Sequence, residues 1–167
     1  MFSLNSLIGL IDKILTMIVI PVVVVLSIAI ASMLAWGIFS RSLLNAPVFG
    51  LEELVLISAM WLYMLGAVLA AKDRSHLTAD FVSVIFKNEK LIAGFAILAT
   101  TISIVMALYF VSWSYELMAW SLKKAQITPV FKLPWYISQS SLFVGSLALV
   151  FYLIRDFIKD CQKFINV

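Results

Sequence analysis

Residues 52–80 read EELVLISAMWLYMLGAVLAAKDRSHLTAD, and the position of the charges in this stretch decides the fold. Glu52 and Glu53 open it, Lys72, Asp73, Arg74, His76 and Asp80 close it, and nothing ionised lies between Leu54 and Ala71. In hydrocarbon no water satisfies exposed backbone N–H and C=O groups, so an uninterrupted apolar run must fold as a helix, which pairs them internally. At about 1.5 Å per residue such a helix approaches the ~30 Å thickness of a bilayer core. The run therefore predicts a transmembrane helix tethered at both faces by charge.

Three further runs have the same character: Ile14 to Phe39, Leu91 to Tyr115, and Trp135 to Ile154. None shows the strict apolar/polar alternation of a membrane strand. The expected fold is all-α, a polytopic membrane protein forming a single four-helix domain over residues 1–167, with spans at about 14–39, 54–71, 91–115 and 135–154. The whole composition agrees. Of 167 residues, 63% are hydrophobic and only 13% are charged, whereas soluble domains carry roughly 25% charged residues. Lys13 followed by an apolar run with Ala29-Ile30-Ala31 imitates a signal peptide. The run continues to Phe39, well beyond the roughly 7 to 15 residues of a signal core, so it is read as a retained first span. Pro21 is expected to kink that span, and Pro134 suits the first turn of the fourth.

Four crossings put both termini and the middle loop on one side. Lys13, Lys72, Arg74, Lys87, Lys90, Arg155, Lys159 and Lys163 lie there, against Arg41, Lys123, Lys124 and Lys132 on the other. The positive-inside rule makes the richer side cytoplasmic. Three shorter segments, at about 3–11, 77–87 and 156–165, have amphipathic patterns and read as short interfacial helices. In the last, Phe157, Ile158, Cys161, Phe164 and Ile165 oppose a polar face of Asp156, Lys159, Asp160 and Lys163. The third helix should continue past the lipid boundary, because Tyr109, Trp113, Glu116, Trp120 and Lys123 recur every three or four residues. That face is either an aromatic belt at the outer interface or, with Lys124, a docking surface for a periplasmic partner.

Several chemistries have no residues to carry them. A charge near the bilayer centre costs roughly 2.5 to 3.5 kcal/mol on insertion scales and is usually retained for proton relays or ion sites; every ionisable residue here sits at or beyond a span end. A transport pathway within this chain alone is therefore not expected. His76 is the only histidine and Cys161 the only cysteine, so no multi-histidine metal site, disulfide or Cys-X-X-Cys pair can form. His76 and Asp80 could meet at i, i+4, but no nucleophile accompanies them. No Gly-rich phosphate loop and no continuous basic surface are present, so neither nucleotide hydrolysis, nor an enzyme activity, nor a cofactor, nor nucleic acid is expected.

Arg41, the pair Glu52-Glu53 with Leu54, the Leu65-Gly66-Ala67 turn, Arg74, His76 and Asp80 form one pattern. Thr128-Pro129 with Leu133-Pro134-Trp135 forms a second, ahead of the last span. Together they resemble the signature of the small membrane subunit of tripartite ATP-independent periplasmic (TRAP) transporters, the DctQ-type family, which includes sialic-acid transporters. The chain departs from the family pattern in carrying Phe49 where Trp often stands, and in lacking a proline within the last span.

The resemblance implies a subunit that braces a large multi-spanning membrane subunit. That subunit takes up organic acids, such as sialic acid or dicarboxylates, from a periplasmic binding protein, driven by an ion gradient that is usually sodium. It also implies residence in the bacterial inner membrane. Arg41, Glu52, Glu53, Trp61, Gly66, Arg74, His76 and Asp80 are then candidate subunit-interface or helix-end anchors. Trp113, Glu116, Trp120, Lys123 and Lys124 are candidate periplasmic docking residues. The acidic pair either favours the positive end of the second helix or pairs with Arg41 or a partner's base. Gly66, Ala67, Ala70 and Ala71 would permit close helix approach. The alternative is a self-contained, small multidrug-type exporter, for which Glu116 is the only near candidate as proton carrier. A membrane thiol oxidase fails for want of a second cysteine.

Overall fold

A computed structural model of the chain describes residues 4–73 and 88–166. They form four helices: α1 (Leu4–Leu43), α2 (Leu51–Lys72), α3 (Glu89–Lys123) and α4 (Tyr136–Asn166). The protein is all-α, and each helix is long and apolar enough to cross a membrane. Only α2, with 22 residues, is close to the minimum. The 40 residues of α1 and 35 of α3 extend about 60 and 50 Å at helical rise, beyond the ~30 Å of hydrocarbon. Residues 4–11 and 156–165, read above as separate surface helices, are instead the outer turns of α1 and α4. No proline or turn signal separates them from the spans, and helix propagation is cheaper than a new nucleus. The 77–87 segment lies outside the described residues.

The ends are set locally. α1 stops where Asn45 takes φ 50° and Ser40 turns its backbone oxygen to the amides of Leu44 and Ala46. Gly50, at φ 83°, caps the start of α2 with no side-chain cap. The Asn88 side chain accepts from Lys90 N at 3.0 Å to open α3, a common use of Asn before a helix. Between α3 and α4 the chain makes a tight loop, with Thr128 N donating to Leu133 O at 2.8 Å and Trp135 N to Gln126 O at 3.0 Å. Pro134 belongs to this loop, in an isolated bridge to Ile127, so α4 begins two residues later than its proline suggested. Pro21 sits inside α1 without ending it.

α4 packs against both α2 and α3, while α1 packs on α2. The helices thus stand in the order α1, α2, α4, α3 rather than as a closed bundle. What allows the close packing is small residues. Ser138, Ser141, Ser146 and Thr100 are buried along with Ser114 and Ser121 of α3. Their hydroxyls are satisfied in part by their own helices, as in Ser141 Oγ to Ser138 O at 2.7 Å and Ser146 Oγ to Phe143 O at 2.8 Å. Ser114 and Ser146 Oγ meet across α3 and α4 at 3.3 Å. At Gly145 an added Cβ would lie 2.7 Å from Met64 Cε and 2.9 Å from Met64 Cβ, so α2 and α4 are in near backbone contact. Between helices in lipid, van der Waals contact and hydrogen bonds replace the hydrophobic drive, and small residues permit both. Met64, Leu65, Val68 and Tyr152 are buried between the helices, but most large apolar side chains point outward: only 6% of the most apolar stretch of α1 is buried within the chain.

Candidate functional site at the two charged ends

The loop end gathers residues from both sequence patterns. Arg41 Nη2 lies 3.7 Å from Glu52 Oε1 across the α1–α2 turn, with both side chains largely exposed; such a surface pair contributes little to stability. Glu53 does something different. Its carboxylate accepts the backbone N–H groups of Val130 at 2.7 Å and Phe131 at 3.0 Å, with the Thr128 hydroxyl as a further partner. Buried Thr128 also uses its hydroxyl oxygen to accept Leu133 N at 3.0 Å. One acid therefore bridges to Arg41, and the other holds the α3–α4 loop rather than capping its own helix. The acidic pair and the Thr128-Pro129 segment, more than seventy residues apart in the chain, are two halves of one staple.

Gly50 is required beneath that staple. Its φ of 83° is left-handed backbone, which costs a residue with a Cβ roughly 1–2 kcal/mol. The Phe131 ring and Val130 also lie directly over it, so that an added Cβ would overlap the ring. Sequence patterning did not single out Gly50; its position just before the acidic pair is the available signal.

Trp61 and Gly66 have different surroundings. Trp61 Nε1 donates to Ile137 O at 3.0 Å, tying α2 to the first turn of α4. That carbonyl also accepts the Ser140 hydroxyl at 2.8 Å. Gly66 has open space where a Cβ would stand, so the close approach anticipated there occurs within the chain at Gly145. Tyr63, one turn earlier, is 72% exposed. On α3, Trp113, Glu116, Trp120 and Lys123, with Lys124 after it, are all exposed, and the Tyr109 and Trp113 rings lie 6.2 Å apart. These residues share one uncovered surface.

The termini end holds a cluster the sequence had placed in water. Arg155, Asp156 and Asp160 are buried, Asp156 to 1% exposure, so Asp156 and Asp160 do not form a solvated face. Arg155 donates from Nε to Asp156 Oδ1 at 2.9 Å and from Nη2 to the Lys72 carbonyl, at the end of α2, at 2.8 Å. Its guanidinium lies 4.7 Å from the centre of the Tyr152 ring. Tyr152 donates to Asp12 Oδ1 at 2.9 Å, and Thr100 Oγ1 on α3 lies 2.9 Å from Asp160 Oδ2. All four helices thus meet through polar groups at this end. A planar guanidinium can serve two acceptors and a ring face together, which explains why Arg155 sits at the junction. The available signal was spacing: Ser138, Ser141, Gly145, Ala148 and Tyr152 recur at three and four residues, and that stripe leads into Arg155 and Asp156. Arg74, His76 and Asp80 lie outside the described residues.

A family model described as tripartite ATP-independent periplasmic transporters, DctQ component, matches residues 30–163. The chain belongs to the DctQ family. No curated protein matched the chain in a direct sequence comparison. As a DctQ component it is an integral membrane part of a TRAP transporter, in a family of transporter components rather than enzymes. The match covers both halves of the Glu53 staple, the whole of α2 and α3, and the Arg155 junction apart from Asp12, but not residues 4–29 of α1.

Proposed function

We propose that this DctQ component is the bracing subunit of its transporter. It holds a large multi-spanning subunit in the bacterial inner membrane while that subunit imports an organic acid, such as sialic acid or a dicarboxylate, delivered by a periplasmic binding protein and driven by a sodium gradient. Both termini are cytoplasmic in this reading, following the distribution of basic residues. The observation that carries it is the combination of family membership with an open row of helices. α1 and α3 leave their apolar surfaces uncovered within the chain, while polar contacts at both ends tie neighbouring elements of the row together. The exposed surface around Gly66 and Tyr63 suits the large subunit, and the Trp113, Glu116 and Trp120 surface suits the binding protein.

A proton-coupled exporter using Glu116 would need that carboxylate enclosed among the helices, whereas Glu116 is exposed on α3; the carboxylates that are enclosed, Asp156 and Asp160, are engaged by Arg155 and Thr100. Reconstitution provides the test. Liposomes holding this chain alone should show no solute movement. Liposomes that also hold the large subunit should import organic acid when binding protein and an inward sodium gradient are supplied. Uptake or efflux by the isolated chain overturns the bracing role, and sodium-independent uptake overturns the coupling.

A further inference from the structure

We propose that a groove between the termini-side ends of α1 and α2 is a binding site for an anionic phospholipid, with Lys13 and Lys72 holding the phosphate and an acyl chain lying along α1. The groove has a volume of about 540 Å³ and is lined by Asp12, Lys13, Met17, Ile20, Pro21 and Lys72. Its charge is unevenly matched. Asp12, the carboxylate in the lining, accepts the Tyr152 hydroxyl, and Arg155 is taken up by Asp156 and the Lys72 carbonyl. Among the described residues neither the Lys13 nor the Lys72 ammonium is paired with a carboxylate. Two cations therefore border the groove against one carboxylate, Asp12, whose hydrogen bond from the neutral Tyr152 hydroxyl leaves its charge in place, so the lining is net positive.

The depth of these groups selects lipid over a free anion. Lys13 immediately precedes the apolar run of α1 and Lys72 immediately follows that of α2, which places both ammonium groups where headgroup phosphates lie. Of the rest of the lining, Thr16 spends its hydroxyl on the Asp12 carbonyl of its own helix at 2.7 Å, and Met17, Ile20 and Pro21 are apolar. Met17 and Ile20 are exposed, and with Pro21 they continue the groove along α1 toward the hydrocarbon, a surface for methylenes that inorganic phosphate would leave bare. Basic pockets between helices on the cytoplasmic side attract anionic headgroups, by about 1 kcal/mol per lysine, or roughly fivefold in affinity. The α1 side of the groove precedes the family match, which begins at residue 30. The inference rests on membrane insertion and on the cytoplasmic placement of the termini proposed above, and not on what the transporter carries.

The test is native mass spectrometry of the full chain, purified in detergent, delipidated, and titrated with phosphatidylglycerol or phosphatidylcholine. Phosphatidylglycerol should bind preferentially. K13Q/K72Q should reduce its binding roughly 25-fold, since each lysine contributes roughly fivefold, and K13R/K72R should retain it. K123Q/K124Q, at the opposite end, should leave the ratio unchanged. Should the double glutamine variant not fold, K13Q at its exposed position should still lower the ratio roughly fivefold. Equal binding of the two lipids, a ratio unaltered by the lysine substitutions, or displacement of phosphatidylglycerol by millimolar inorganic phosphate would overturn the proposal.

Discussion

Two glycine substitutions of identical chemistry should have opposite effects. In Gly145→Ala the new methyl would lie 2.7 Å from Met64 Cε and 2.9 Å from Met64 Cβ. The Cε end can swing away, but Cβ is fixed to the α2 backbone, so the helices themselves must separate. Overpacking of this kind costs about 1–3 kcal/mol. Gly66→Ala places its methyl in open space and retains only the gain in helix propensity, about 0.5–1 kcal/mol. That same gain offsets part of the cost at Gly145. The two variants, each the same Gly→Ala change in mid-helix, should therefore differ by about 1–3 kcal/mol, a factor of roughly 5 to 150 in the unfolding equilibrium. Unfolding of the purified chain by SDS titration, followed by tryptophan fluorescence, measures this difference. Gly66→Ala should be at least as stable as the parent, and Gly145→Ala less stable. If the two unfold at the same SDS fraction, α2 and α4 are not in near backbone contact and the described packing is wrong.

Gly66→Leu should leave the isolated chain stable but reduce co-purification with the large subunit; normal co-purification would place that subunit elsewhere. Gly50→Ala should destabilise the loop end by at least about 1–2 kcal/mol from left-handed backbone alone, read as faster proteolysis between Lys124 and Trp135. Arg155→Ala removes the guanidinium from a buried pair and should cost roughly 3–5 kcal/mol, with Arg155→Lys rescuing only part, because a point charge cannot reproduce the planar fork. Trp61→Phe deletes one hydrogen bond to a carbonyl that keeps its Ser140 partner and should cost only about 0.5–1.5 kcal/mol; SDS unfolding ranks these last two variants. Glu53→Gln turns one acceptor oxygen into a donor facing the Val130 and Phe131 amides, and amide hydrogen exchange at 130–131 should rise.

What could be read from the chain alone followed from the cost of polar groups in hydrocarbon. Runs such as Leu54 to Ala71 admit no structure but a helix, so four spans, the all-α class and the confinement of charge to the ends were legible without coordinates. The residues that carry the family pattern were legible too, as a list. Their relation to one another was not. Nothing local distinguishes Glu52, exposed beside Arg41, from Glu53, which binds the amides of a loop far along the chain. Nor does the 156–165 segment reveal that two of its acids turn inward: an amphipathic pattern shows that a helix has two faces, but not which face meets protein. In a membrane that ambiguity is sharper than in water, because apolar side chains suit lipid as well as a core. Which small residue brings helices together, Gly145 and not Gly66, depends on what stands opposite it, and only the tertiary structure places Met64 there.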